Sequence, residues 1–463
     1  MFNKLMPNIA MVVSMTSLVL AIALLIFPPP LLSTTESLAA AVAIIVIGFW
    51  ASAVIPEYMT ALFFFLFAVL SGIAPSEVIF SGFASTAFWL IFSGLVIAEG
   101  ITATGLGTRI ASKIVAHFKG SYLRLITSIL VAGMLFAFLM PGAVGRVIFL
   151  IPIVSAVADY AGFTKGSNGR TGMMLAAIFG TILPGFAILP ANVPNMIFAG
   201  MVETRYQIPI LYGEYFWLHF PVLGLLKAIT IVVSILYFFP DYPQKTKSRT
   251  LLKTDSISKN EIALSAVLLL LITLWMSDFI HHISPAWIAL GGAVFLLLPK
   301  INIVTKQQFQ ANINFSILFF VAGIFGLGGM IHHSELGETL ASQLIRLLPL
   351  DQSRPFTNYM LLSLISTLTG IVVTVAGIPA VITPFCDTLS NFSGFPLKTV
   401  LMTQVLGFST IILPYQLAPI VIGMQMSGER LQSAIKLCLF LLLITFVFLL
   451  PVNYLWWQVL SWI

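Results

Sequence analysis

Two stretches of this chain share one unusual pattern, a segment broken by glycine and proline inside an otherwise continuous apolar run. Residues 141–153 read PGAVGRVIFLIPI, residues 373–385 read VTVAGIPAVITPF, and each carries a proline, Pro152 or Pro384, near its end. In hydrocarbon, an interrupted helix is tolerated only where the freed backbone groups face protein or a water-filled cavity. Interruptions at matching positions of two halves therefore indicate a repeated membrane fold with its breaks in the interior.

The composition agrees with a membrane fold and excludes a soluble domain. Of 463 residues, 59% are hydrophobic and only 8% are charged, whereas soluble domains carry roughly 25% charged residues. The net charge of +6 comes from Lys and Arg that lie mostly between apolar runs, as the positive-inside rule expects, so it does not indicate a nucleic-acid partner. The two cysteines have no metal-ligand spacing, and no cofactor is predicted.

The predicted fold is all-α and polytopic, with about eleven transmembrane helices plus two re-entrant hairpins in two inverted repeats. A leading transmembrane helix is predicted over residues 1–30, a first repeat over 31–239 and a second repeat over 261–463. Residues 240–260 form a basic linker that the positive-inside rule places in the cytoplasm. These features predict a multi-pass protein of a cell inner membrane.

The hairpins and the broken helices are assigned to different segments. Segments 82–100 and 312–331 hold glycine and small polar residues near their middle and are predicted to be the hairpins. The two broken segments are each predicted to be one discontinuous helix, with the halves 121–140 and 146–160, and 355–373 and 378–391.

Several motifs in the expected order resemble the divalent anion/sodium symporter family, whose members transport dicarboxylates, citrate and sulfate. FWASAVIPEYMTALFFFLFAVLSGI (49–73) is similar to the family's W-x-T-E-A-x-P-x-x-x-T-A-L segment, and LPANVPNMIFAG (189–200) is similar to its G-T-P-P-N-x-I-x-x-G segment. GFASTAFWLIFSGLVIAEGITATGLGTRIA (82–111) resembles the family's first hairpin. The resemblance implies alternating access and a homodimer that forms through scaffold helices (37–74 and 261–299).

The sequence departs from the family at the motif that binds substrate and sodium. The resemblance places the two Ser-Asn-Thr triplets of the family at Gly142-Ala143-Val144 and at Thr374-Val375-Ala376. Sodium sites of the family type would lie near Gly142, Ala143, Thr374 and Val375. Hard cations require several oxygen ligands, and most of the side-chain oxygens are absent here, which argues against sodium coupling. Backbone N–H groups at half-helix N-termini can still hold an anion.

Arg146 is the principal candidate side chain, because a charged residue inside a span indicates a functional site. Met140-Pro141-Gly142-Ala143-Val144-Gly145-Arg146 looks like the Thr-Pro-Ser-Asn-Thr-Ala-Arg form of plastid dicarboxylate translocators with the triplet erased. One interpretation is that the guanidinium binds an anion; the other is that it bonds carbonyls at the break.

Four further polar residues beside the breaks are candidates for substrate binding. Asn192 and Asn195 either contact substrate or cap the half-helix that follows. Thr374 either contacts substrate or bonds a carbonyl of its own helix. Gln416 is the amide at the break of the second half.

The sequence thus predicts a secondary active transporter that moves a small organic anion, di- or monovalent, by alternating access. Its partners would be that anion, the lipid bilayer and a second copy of the chain. One alternative is a proton-coupled or exchange transporter. The other is a non-transporting sensor or scaffold that descends from the same fold. An enzyme is not predicted, because no Ser-His-Asp set, Walker loop or metal-binding His motif is present.

Overall fold

The computed structural model describes residues 2–52, 54–107, 109, 121–243, 256–337, 339 and 349–463, and these residues form helices and loops with no strand. Ten helices within these ranges are long and apolar enough to cross a membrane. An apolar chain forms helices in lipid because each backbone group must find its partner inside the segment. The predicted all-α polytopic fold is confirmed. Most of the predicted linker 240–260 lies outside the described residues.

The order of helices in the first part of the chain recurs in the second part. After α1 (Phe2–Ile26), the first half contains α2 (Thr34–Ser52), α3 (Glu57–Ser71), α4 (Thr86–Thr104), α5 (Tyr122–Leu139), α6 (Ala143–Tyr160), α7 (Asn168–Ile182), α8 (Val193–Tyr206) and α9 (Tyr212–Phe238). The second half contains α10 (Lys259–Met276), α11 (Pro285–Leu297), α12 (Phe315–His333), α13 (Pro355–Ile382), α14 (Cys386–Ser393), α15 (Leu397–Phe408), α16 (Ala418–Ser427) and α17 (Leu431–Val459). The inverted orientation of the two halves stays a prediction.

Helices α5 and α6 form a helical hairpin, so the prediction that they are halves of one discontinuous helix was wrong. The rings of Tyr122 and Phe163, at the two open ends, lie 5.8 Å apart between centroids, and those of Phe136 and Phe149 lie 5.3 Å apart. The chain reverses at Gly142, whose φ of 91° is open to glycine but not to most other residues. The pattern predicted the interruption correctly but not the change of direction.

The second broken segment is also a hairpin. Helix α13 is kinked at Thr374, and the chain after the kink returns toward the start of the helix. Asn358 Nδ2 near that start donates to the carbonyl of Ser393 at the end of α14 over 2.9 Å. Gln352 Nε2 similarly donates to the carbonyl of Asn391 over 2.9 Å.

The segments predicted to be hairpins are single helices instead. Segment 82–100 lies largely in α4 and segment 312–331 lies largely in α12, each of which is an uninterrupted helix of 19 residues. Their glycines serve close packing: a Cβ at Gly94 would lie 2.7 Å from Pro141 Cβ, and one at Gly323 would lie 2.6 Å from Ala61 Cβ. Small residues at helix contacts are typical of membrane proteins.

The discontinuous helices are α7–α8 and α15–α16. Two short 3₁₀ turns, Pro184–Ala187 and Leu189–Ala191, separate α7 from α8. Residues 409–417, with a 3₁₀ turn at Pro414–Gln416, separate α15 from α16. Each break lies next to the tip of the hairpin that precedes it in the chain.

The two halves of the structure are interlocked. Helix α4 packs against α11, and α12 packs against α3. Deeper in the fold, α8 packs against α13, and α16 packs against α6. Each half therefore buries part of its apolar surface against the other half.

Two polar contacts cross between the halves in the same way. Arg109 of the first half donates to both carboxylate oxygens of Glu261 over 2.7 and 3.1 Å, and Glu261 belongs to the capping box that starts α10. Thr339 of the second half donates its hydroxyl to Glu36 in the first turn of α2. In both cases a carboxylate in the first turn of a helix accepts hydrogen bonds from a side chain of the opposite half.

Close packing of α5 on α7 predicts a strong effect of one small substitution. A Cβ at Gly180 would lie 2.9 Å from Leu130 Cα, and backbone at that distance cannot yield as a flexible side chain can. Gly180→Ala should therefore lower the free energy of unfolding by about 1–3 kcal/mol. The measurement is the thermal unfolding midpoint of the purified protein in detergent.

Gly291 in α11 provides the matched control, because a Cβ there would meet nothing within 4 Å. Gly291→Ala should leave stability unchanged or raise it by up to about 1 kcal/mol, since alanine is the better helix former. Equal destabilisation by both substitutions would contradict the close approach of α5 and α7.

Candidate functional site

The tip of the first hairpin is tied to the break between α7 and α8 by one side chain, Arg146. The Arg146 side chain is fully buried near the start of α6. The backbone N–H of Gly142 adds a direct bond from the tip to the break, donating to Ala191 O over 3.0 Å. All five guanidinium N–H bonds of Arg146 are used, with these acceptors: Thr181 Oγ1 at 2.9 Å, Thr181 O at 3.0 Å, Met140 O at 2.6 Å, Ala191 O at 2.6 Å and Asn192 Oδ1 at 2.8 Å.

The acceptors of Arg146 are neutral, and this sets the electrostatics of the site. No ion pair among the described residues includes Arg146. Buried charges in proteins are normally paired, so the guanidinium leaves a net positive charge at the hairpin tip. Because its donors are all engaged, an anion nearby would be held by charge rather than by a hydrogen bond from Arg146.

The amide side chains of Asn192 and Asn195 donate hydrogen bonds to backbone carbonyls at the first break. Asn192 Nδ2 donates to Ile182 O over 3.0 Å, and the Asn192 side chain does not cap α8. Asn195 Nδ2 donates to Gly185 O and Ile188 O over 3.1 and 2.9 Å. Asn195 Oδ1 is buried and has no partner in the described structure. That oxygen therefore retains unused capacity to accept a hydrogen bond.

The tip of the second hairpin is strained at Thr374. Its φ of 61° and ψ of 173° lie in a region that is essentially restricted to glycine. The first hairpin places a glycine, Gly142, at its own positive-φ position. A β-branched residue in such a conformation is a genuine outlier, and strain of this kind clusters at functional sites. Val375 beside it is buried and Ala376 is half-buried.

Gln416 organises the second break. Its Oε1 accepts from the backbone N–H of Ile412 over 2.7 Å and of Leu413 over 2.8 Å. Its Nε2 is buried without a hydrogen-bond partner in the described structure and lies close to Gly370 on the arm that leads to the tip. Tyr415 joins the same two segments, donating its hydroxyl to Ile371 O over 2.8 Å.

The structure thus arranges the predicted site residues in two groups. Gly142, Ala143, Arg146, Asn192 and Asn195 surround the first tip and break, whereas Thr374, Val375, Ala376 and Gln416 surround the second. Among the described residues, no hydrogen bond joins one group to the other. The two breaks are in contact through the aromatic rings of Phe186 and Phe408, whose centroids are 5.8 Å apart. Val144 differs from its neighbours because it is exposed at 38%.

Three helices that begin at a tip or break have no side-chain cap. These are α6 after Gly142, α8 after Asn192 and α16 after Leu417. Serine side chains cap α4, α5, α7 and α10, whereas α3, α13 and α15 also begin without a side-chain cap. An uncapped helix N-terminus offers free N–H groups and the positive end of the helix dipole to an anion.

The first tip has few oxygen atoms left for a metal cation. The carbonyls of Met140, Ala191 and Thr181 already accept from Arg146. Within the part of the chain that the structure describes, no group of three or more His, Cys, Asp or Glu side chains could hold a metal ion.

Sequence reasoning missed Lys227, which lies in α9 and is 1% exposed. Its Nζ donates to Ser409 O over 2.6 Å, at the start of the second break. A lysine inside an apolar run is the signal that would have found it, because intramembrane charges indicate function.

The strain at Thr374 leads to a prediction. Thr374→Gly should raise the free energy of unfolding, because relief of about 1–3 kcal/mol of backbone strain exceeds the roughly 0.5–1 kcal/mol that glycine costs through its flexibility. Thr369→Gly in the same helix is the control and should destabilise, since Thr369 has ordinary helical geometry. Thermal unfolding of both variants checks this; destabilisation of equal size would contradict the strain.

The sequence of this chain is similar to those of known membrane proteins. A family model described as "Citrate transporter" matches residues 42–407. A Cupriavidus necator protein named "Membrane protein" is 25% identical over 56% of this chain and 52% of its own length. "Dicarboxylate transporter 1, chloroplastic" of Arabidopsis thaliana is 25% identical over 58% of this chain and 50% of its own length. The chain thus spans about half the length of these two curated relatives.

A solved structure has the same fold at lower sequence identity. The Alcanivorax borkumensis YdaH transporter, whose topology is described as unusual, superposes with a TM-score of 0.54 at 15% identity. The match covers 86% of this chain and 88% of that one. The family resemblance drawn from the sequence motifs is confirmed, and the family model and the plant relative are named as transporters, not as enzymes. This multi-pass membrane protein belongs to the citrate transporter family.

Proposed function

We propose that the protein is a secondary active transporter that moves a small organic anion, di- or monovalent, across a cell inner membrane by alternating access. The observation that carries the proposal is Arg146, a fully buried guanidinium that only neutral acceptors surround. A buried charge without a counterion is unfavourable by several kcal/mol before its hydrogen bonds are counted. An anion bound at the hairpin tip would supply the missing charge.

The attraction between Arg146 and a bound anion has a strength that suits reversible binding. Two unit charges separated by roughly 7 Å at an effective dielectric constant of about 20 attract each other by about 2 kcal/mol. This is enough for selectivity toward anions but not for permanent capture. The uncapped starts of α6, α8 and α16 would add N–H donors and favourable helix dipoles.

The side chains at the tips favour an organic anion over an inorganic one. Ala143, Val375 and Ala376 are apolar and small or branched, so they suit a carbon skeleton. Asn195 Oδ1 could accept from a hydroxyl or a protonated carboxyl group. Carboxylates such as citrate, malate and succinate combine these features, and the family model and the plant relatives are named for citrate and dicarboxylates.

Alternating access would use the interlocked halves described above. In this proposal residues 31–239 and 261–463 are two inverted repeats, preceded by a leading helix at 1–30 and joined by the linker 240–260. The hairpins and broken helices would move against scaffold helices within 37–74 and 261–299, and those scaffolds would form a homodimer. Movement of a broken-helix unit around a central site is the usual principle in repeat-built transporters.

Counterflow into proteoliposomes tests the function. Vesicles preloaded with citrate, malate, succinate or 2-oxoglutarate should take up the same labelled anion, and Arg146→Gln should lower the apparent affinity at least about tenfold, equivalent to about 1.4 kcal/mol. Arg146→Lys should keep part of the affinity because it keeps the charge, although it loses most of the hydrogen bonds.

Arg170 provides the matched control for the charge argument. It is also buried but pairs with Asp159 and lies 3.9 Å from Glu429, so its charge is compensated. Arg170→Gln should leave anion affinity within about twofold, even where stability falls. Equal loss of affinity in both variants would refute the role of the uncompensated charge. Absence of counterflow with every anion would favour the non-transporting alternative.

A further inference from the structure

Lys227 is a second basic side chain buried in the interior of a membrane-spanning helix. Its ammonium group has three N–H donors, and one hydrogen bond leads to Ser409 O over 2.6 Å. Ser409 directly follows α15, so the acceptor belongs to the C-terminal end of a half-helix. The negative end of a helix dipole favours a cation at this position.

A small cavity adjoins the Lys227 side chain. Its volume is about 10 Å³, which is close to the space needed for one water molecule. Phe179 and Leu183 reach it from the end of α7, and Thr410 and Ile411 reach it from the end of α15. The cavity therefore lies where the two broken helices meet, next to both interruptions.

Among the residues that the structure describes, no carboxylate lines this cavity. The remaining lining residues are Cys438, Leu441, Leu442 and Thr445 of α17. Of the described lining residues, Cys438 is the one with a titratable side chain besides Lys227. The hydrogen-bond acceptor of the ammonium is the Ser409 carbonyl, whereas the hydroxyls of Thr410 and Thr445 donate to Leu406 O and Leu441 O of their own helices.

Local distortions of two helices adjoin lining residues of this cavity in the chain. A π-helical segment, Phe220–Leu226, directly precedes Lys227 in α9, and a second one, Thr445–Leu449, begins at the lining residue Thr445 in α17. Single-turn π insertions occur frequently at functional sites. Both insertions occupy the last long helix of their own half.

In both halves, a basic side chain donates a hydrogen bond to a carbonyl at the C-terminal end of the first half-helix. In the first half, Arg146 donates to the carbonyl of Thr181 at the end of α7. In the second half, Lys227 donates to the carbonyl of Ser409 at the end of α15. Half-helix C-terminal ends and unwound carbonyls are the groups that bind coupling cations in transporters built from repeats. Here each of the two ends already carries a covalently attached cation.

We propose that the Lys227 ammonium is a tethered cation that occupies the position where a co-transported metal cation would bind, so that anion transport by this protein requires no sodium. The inference rests on the proposed transport function and specifies its coupling. Lys227 acts on the break between α15 and α16 as a positioning residue and does not contact the anion. Arg146 has the corresponding place in the first half.

The neutral substitution Lys227→Met separates a coupling role from a structural role. Methionine has a similar length, and the substitution removes the free-energy cost of burying an unpaired charge. Lys227→Met should therefore unfold no earlier than wild type, yet its counterflow of the transported anion in sodium-free medium should fall at least tenfold. Lys436→Met, on the exposed side of α17, is the matched control and should transport as wild type does.

Cation rescue tests the site directly. Lys227→Ala removes the ammonium and leaves its space, so sodium chloride or methylammonium chloride should raise the thermal midpoint of this variant relative to choline chloride at equal ionic strength. The same salts should restore part of its counterflow. Wild type should show no such preference among the three salts.

The outcomes separate this inference from the proposed function. Wild-type counterflow that depends on sodium, full activity of Lys227→Met, or absence of any cation-specific shift in Lys227→Ala would each overturn the tethered cation. Failure of wild type to move any organic anion would instead reject the proposed function. In that case the thermal shifts of Lys227→Ala still decide whether the position binds cations.

Discussion

The hydrogen bonds of Arg146 are the interaction on which the interior of this protein depends. Backbone interrupted within a membrane must find partners inside the protein, and here one guanidinium serves carbonyls from the hairpin tip, the end of α7 and the break after it. A planar group with five fixed donors suits this role, whereas a lysine with three rotatable donors does not. The arrangement stabilises two adjacent interruptions and leaves one uncompensated positive charge between them.

The rest of the candidate site follows the same principle, because its amides serve the backbone first. Asn192, Asn195 and Gln416 use most of their capacity on carbonyls and N–H groups of the breaks. What remains for a ligand is one buried oxygen of Asn195, one buried amide nitrogen of Gln416 and the uncapped helix starts. Such a site recognises charge and shape more than a pattern of side-chain hydrogen bonds.

The sequence was sufficient for the class of fold and for the positions of the interruptions, but not for the path of the chain. Glycine and proline in an apolar run indicate a break, yet tertiary contacts such as that of Tyr122 with Phe163 are needed to distinguish a hairpin from a kinked span. The glycines of α4 and α12 led to the wrong prediction of two hairpins, because Gly94 and Gly323 permit close helix packing and do not form a turn. Both interpretations of Arg146 were available beforehand, whereas its set of five acceptors depends on tertiary structure that no local pattern encodes.

The exchange of helices between the halves has a consequence for biosynthesis. Helices α3 and α4 are made early, but their packing partners α12 and α11 belong to the second half. These helices must therefore remain in the membrane with their contact faces against lipid or an insertion factor until their partners are made. The intervening chain has 180 residues between Thr104 at the end of α4 and Pro285 at the start of α11, and 243 residues between Ser71 at the end of α3 and Phe315 at the start of α12. Final assembly is consequently a late, cooperative event, and neither half should reach its native packing when it is synthesised alone.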